Sequence, residues 1–141
     1  LQKASALVMT HLPFFKLEPK EQLPIHALRV SMSWGGRLAF GAVAVLLAPV
    51  AEEMLFRGIL YPAIKQAGFP RVALWGTALL FAATHHNAAT FLPLALLAIA
   101  LALLYEKTNN LLAPIAAHSL FNAMNFLVLY LGQQKSGHPG W

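Results

Sequence analysis

Six side chains able to do chemistry stand in apolar surroundings in this sequence: Glu52, Glu53, Arg57, His85, His118 and Asn122. Glu52, Glu53 and Arg57 fall within a single apolar stretch from about Leu38 to Ile64. A charge at the centre of a bilayer costs about 2.5–3.5 kcal/mol on insertion scales. Three charges between positions 52 and 57 therefore need a reason to be there. One reading places them around a polar cavity inside the protein. A second makes them a purely structural ion pair. A third has them reach outward to headgroup level, which the 14 apolar residues of Leu38–Ala51 leave open.

Helical spacing separates the two glutamates. Glu53 and Arg57 are four apart, on one face and in the favourable order for an ion pair. Glu52 is turned about 100° from Glu53 and has no basic residue three or four positions on. The spacing predicts that Arg57 holds Glu53 and leaves Glu52 to act elsewhere, as a general base would. His85 ends another apolar segment one turn beyond Phe81, and His118-x-x-x-Asn122 puts an imidazole and an amide on one stripe of a third. Taken singly, a helix-end histidine is more often structural than catalytic, and a His/Asn pair is as readily a hydrogen-bonding contact between membrane helices. Taken together, a glutamate, two histidines and an amide in one pocket can activate water and stabilise an oxyanion.

The elements that must position them are helices in lipid. The chain has 141 residues, 58% of them hydrophobic and 11% charged, with a mean hydropathy of +0.60. A soluble fold of that size could not hide so much apolar surface. Four apolar segments, about Leu38–Ile64, Val72–His85, Ala88–Tyr105 and Leu111–Leu131, read as four membrane helices. The second is short against the ~20 residues a span needs. The runs are continuous and do not alternate, which argues against strands. Short connections predict antiparallel neighbours. The expected fold is an all-α polytopic bundle of about four transmembrane helices. Residues 1–36 form an N-terminal linker with a short interfacial helix over Ile25–Trp34, broken by Gly35–Gly36; residues 37–131 form the core and 132–141 a polar tail. The chain starts at Leu1, and Ala4–Phe15 reads as the end of an upstream helix, so further N-terminal helices are expected. The net charge of +5 is spread over scattered Lys and Arg, which fits loops near headgroups and not a nucleic-acid surface.

The motifs Glu52-Glu53-Met54-Leu55-Phe56-Arg57, Phe81-Ala82-Ala83-Thr84-His85 and His118-Ser119-Leu120-Phe121-Asn122, with Tyr105-Glu106-Lys107-Thr108 before the last, resemble those of the CPBP intramembrane proteases, the Abi or CAAX-protease type II family. The resemblance covers about Gly41–Tyr130. It implies an intramembrane endopeptidase in which Glu52, with His85, activates the attacking water. By the same resemblance His118 and Asn122 bind the oxyanion, and Glu53 and Arg57 support the first motif. The implied substrates are membrane peptides or proteins, prenylated CAAX-type tails or bacteriocin-type precursors. The implied location is a bacterial cell membrane, crossed several times. No cofactor is expected; if zinc takes part, Glu52, His85 and His118 are the ligand types suited to it, although H-E-x-x-H is absent.

Other chemistries fit less well. The sequence has no Asp and no Cys, so an aspartyl dyad and a cysteine nucleophile are excluded. No G-x-S-G element is present, and Ser119 points about 100° away from His118. Two further readings compete with a protease: a non-catalytic scaffold or bacteriocin immunity protein, and a proton-coupled transporter. Four spans without an internal repeat speak against the transporter.

Overall fold

The computed structural model describes residues 33–135, with side chains described from Gly35 to Val128 and at Ser33. The interfacial helix expected before Trp34 and the last residues of the tail lie outside them. All elements among the described residues are helical. Helix α1 is continuous from Trp34 to Gln66, through Trp34–Ala42, a π-helical segment Val43–Leu47, then Ala48–Glu53, a second π segment Met54–Leu60, and Tyr61–Gln66. Helix α2 is Pro70–Thr84, α3 is Ala88–Thr108 and α4 is Leu112–Lys135.

Local chemistry sets these boundaries. Gly35 and Gly36 were expected to break the chain; instead they form the first turn of α1, because the Ser33 hydroxyl caps it by accepting from the Gly36 N–H. Both π segments end one residue before a residue–proline pair, Ala48-Pro49 and Tyr61-Pro62. A proline has no N–H to donate one turn back. The register slips instead: Ala48 N–H bonds Val43 O and Tyr61 N–H bonds Phe56 O, each five residues back. Asn87 caps α3 by accepting from the Ala89 and Thr90 amides. Asn109, in the left-handed conformation at φ 48°, ends that helix. Helix α4 continues to Lys135, past the expected end of its apolar segment at Leu131.

The packing departs from that of a soluble protein. Glu53 (0% exposed), Arg57 (2%) and His118 (2%) are inside, while Leu79, Leu80, Leu96, Leu120 and Val128 are exposed. Apolar side chains outside and charges inside suit lipid as the solvent. The facing surfaces of α2 and α3 are largely small residues, Ala73, Thr77, Ala78 and Ala82 against Ala95, Ala98 and Ala102, which lets membrane helices approach closely. Between α1 and α4 a Cβ on Gly41 would sit 3.1 Å from the Phe126 ring.

Among the described residues, two helices are long and apolar enough to cross a membrane, Gly35–Gln66 and Ala88–Thr108. At about 1.5 Å per residue, the 32 residues of the first measure roughly 48 Å, well beyond the ~30 Å hydrocarbon layer. Its charged pair lies near mid-length, not at an end. At 15 residues, α2 falls short of the length a span needs.

Candidate active site

Helix α1 carries the first motif across its second π junction. Arg57 Nη1 donates to Glu53 Oε1 at 2.7 Å, so the pair expected from the four-residue spacing forms. The guanidinium is tied across to α3 as well, with Nη2 donating to the Ala98 carbonyl at 2.6 Å. Its charge lies 5.2 Å from the Phe81 ring centroid, within cation–π range. The burial of Glu53 and Arg57 rules out the headgroup reading for both.

Helix α4 brings His118 against this pair. His118 Nδ1 lies 2.9 Å from Glu53 Oε1, and Nε2 lies 3.7 Å from Glu52 Oε2. A carboxylate paired with a guanidinium accepts hydrogen bonds, so Nδ1 carries the proton toward Glu53. This fixes the plane of the ring and turns Nε2 toward Glu52. Glu52, whose side chain is 32% exposed, is the more accessible of the two acids. One turn on, Asn122 Nδ2 donates to the Ala44 carbonyl of the first π segment at 2.9 Å. His118 and Asn122 thus share a face of α4 against α1, as their spacing requires.

His85 caps the C-terminus of α2. Its Nδ1 lies 2.9 Å from the Phe81 carbonyl, which only accepts, so this nitrogen carries the proton and Nε2 is left as the acceptor. Phe81 is the shared wall of the site: fully buried, its ring lies 5.0 Å from His85, 5.6 Å from His118 and 5.2 Å from Phe56.

Residues 34–124 match the family described as type II CAAX prenyl endopeptidase Rce1-like. The chain belongs to this family. The matched region holds every motif residue of this CPBP-type chain, from Glu52 to Asn122. It is also similar to an uncharacterised protein, YpbD, of Bacillus subtilis (strain 168), with 36% identity over 83 residues. That alignment covers 56% of this chain and 40% of the relative, so the chain spans well under two thirds of the relative's length. No solved structure matches.

The Rce1-like site contains partners that spacing alone did not supply. The bond from His118 to Glu53 joins residues 65 positions apart, and the Ala98 and Ala44 carbonyls are backbone atoms with no mark in the sequence. Pro49 was the one available signal, since a proline within a helix frees a carbonyl. The trio Glu52, His85 and His118 does not form a ligand set: among the described residues no group of three or more His, Cys, Asp or Glu is placed to hold a metal ion. Away from the cluster, a notch of about 380 Å³ is lined by Tyr61, Pro62, Lys65, Gln66, Tyr105, Glu106 and Asn109. There Glu106 accepts from Tyr61 and pairs with Lys65.

Proposed function

We propose that this chain is the catalytic core of an intramembrane endopeptidase that cleaves membrane-associated peptides or proteins by glutamate-activated water. The observation that carries the reading is the approach of Glu52 Oε2 and His118 Nε2 to 3.7 Å beside a fully buried Glu53–Arg57 pair, within a region that matches a family of endopeptidases. Glu52 takes the proton of the attacking water as it adds to the scissile carbonyl, and then passes it to the leaving amine. His85, its Nε2 an acceptor, assists in holding that water. His118 and Asn122 donate to the oxyanion that develops on the carbonyl oxygen, usually a large share of such catalysis. For this His118 must donate from Nε2 while Nδ1–H stays on Glu53, so the oxyanion-binding form is the imidazolium. Glu53 and Arg57 act through His118 and touch no reacting atom.

In this reading all four helices sit in the membrane, the 15-residue α2 as a shorter span, in a multi-pass protein of a bacterial cell membrane. Substrates are CAAX-type or bacteriocin-type membrane peptides. The test is cleavage of candidate membrane peptides by the protein in proteoliposomes, comparing Glu52→Gln with the parent. Loss of a general base lowers kcat by about 10²–10⁴-fold, and thermal stability stays near the parent because Glu52 is partly exposed. Undiminished cleavage by Glu52→Gln would refute the mechanism. Parent protein that cleaves nothing while purified Glu52→Gln behaves identically in every assay would favour the scaffold reading.

A further inference from the structure

The first π segment leaves one carbonyl of α1 without a helical donor. In an α-helix the Ala44 carbonyl would accept from the amide four residues on, that of Ala48. Here the Ala48 N–H is directed to Val43 O instead. A π-helix would offer the amide five residues on, but that residue is Pro49 and has none. Ala44 O is thus passed over by the helix, and a buried carbonyl without a donor is costly. The Asn122 side chain of α4 supplies the missing donor at 2.9 Å. A side-chain amide has two N–H groups. With one of them held by Ala44 O, the plane of the amide is fixed and the second N–H has a defined direction. Asn122 lies one turn beyond His118, whose ring plane is fixed in the same manner by Glu53 Oε1.

We propose that Pro49 is a positioning residue: through the Ala44 carbonyl that it leaves open, it orients Asn122 so that the second amide N–H is aimed at the oxyanion. The proposal rests on the peptidase reading above. It assigns a task to a helix-interior proline only three residues before Glu52, where proline would otherwise only weaken the helix. Oxyanion donors work when their direction is set before the reaction starts. The π segment provides this at the junction where α4 crosses α1, and π segments recur at functional sites.

Pro49→Ala restores an N–H at position 49 and lets the segment return to α-helical register, with Ala48 N–H back on Ala44 O. The substitution favours helix formation, so the variant folds. In detergent, thermal unfolding of the parent, Asn122→Ala, Pro49→Ala and the double variant forms a cycle. Asn122→Ala lowers Tm by a few degrees in the parent and by nothing further in the Pro49→Ala background. In proteoliposomes, Pro49→Ala lowers kcat at least about tenfold, toward the 10²–10³-fold of losing an oxyanion donor outright, with KM within twofold and Tm unchanged or raised. Additive Tm changes overturn the tie between Pro49 and Asn122. Parental kcat in Pro49→Ala overturns the positioning role. A parent without peptidase activity sinks the peptidase reading and the aim at an oxyanion together, and the Tm cycle alone then decides whether Pro49 sets the Asn122 bond.

Discussion

Replacing Arg57 by Met keeps a similar volume and removes the charge. Three contacts go with it: the 2.7 Å bond to Glu53, the 2.6 Å bond to the Ala98 carbonyl and the position over Phe81 at 5.2 Å. The dominant loss is what remains behind, a carboxylate 0% exposed with no guanidinium beside it. Breaking a buried pair by removing one partner costs about 3–5 kcal/mol. A hydrogen bond from a charged donor contributes about 1.5–3 kcal/mol of such effects; the Ala98 share lies at the low end, because that carbonyl stays inside a helix. These contributions overlap and do not add, so the expected cost is about 3–5 kcal/mol. In a chain of this size 1 kcal/mol moves Tm by roughly 2–8 °C, giving a fall of at least about 6 °C. Glu53→Gln combined with Arg57→Met removes both charges and should return most of the loss, with a coupling of about 2 kcal/mol or more. Thermal unfolding in detergent, followed by near-ultraviolet circular dichroism, measures all four corners of the cycle. A cost below about 1 kcal/mol for Arg57→Met, or an additive cycle, would refute the claim that Glu53 needs its partner.

Phe81→Ala removes a fully buried ring packed on Phe56, His85 and His118. The expected cost is about 3–5 kcal/mol by the same unfolding assay, with cleavage reduced because both imidazoles lose their wall. Lys65→Ala breaks a pair whose lysine is 46% exposed, so stability should change by no more than about 1 kcal/mol and cleavage in proteoliposomes should stay parental. A chelator should leave the rate of peptide cleavage unchanged under the proposed mechanism; a rate lost with chelation and regained with added zinc would move Glu52 and the histidines into a metal site.

What the sequence revealed depended on the range of the interaction. The Glu53–Arg57 pair was legible because both residues ride on one helix, and a spacing of four fixes their relation whatever else the chain does. The separation of Glu52 from Glu53 followed from the same periodicity. That His118 bonds Glu53, the supporting acid, while merely facing Glu52 was not legible: it depends on how α4 is rotated against α1. The start of α1 was misjudged because two glycines outweighed a capping serine, and Gly35 and Gly36 fall in the first turn, where their amides need a cap more than a helical partner. The π segments were hidden although Pro49 and Pro62 were in view, since a proline announces a lost amide and not how the backbone will accommodate it. The count of spans is limited in the same way: length and composition qualify α1 and α3, whereas a helix as short as the 15-residue α2 depends on neighbours to cover it.

The bonds that bring the site together also limit what mutagenesis of it can mean. Arg57 ties α1 to α3, His118 ties α4 to α1 through Glu53, and Asn122 ties α4 to α1 through Ala44. All three ties converge on α1, and membrane helices have no hydrophobic drive to hold them together in lipid. Substituting Glu53, Arg57 or His118 therefore removes a tie between helices as well as any part in the reaction, and a lost activity there does not separate the two. Glu52 and His85 differ. Glu52 is partly exposed and approaches His118 at more than hydrogen-bond distance. His85 bonds a carbonyl of its own helix. Both can be changed without parting two helices. A loss of cleavage at either, with Tm held, is therefore evidence about chemistry, and a loss at Glu53 or Arg57 becomes such evidence only after the fall in Tm has been accounted for.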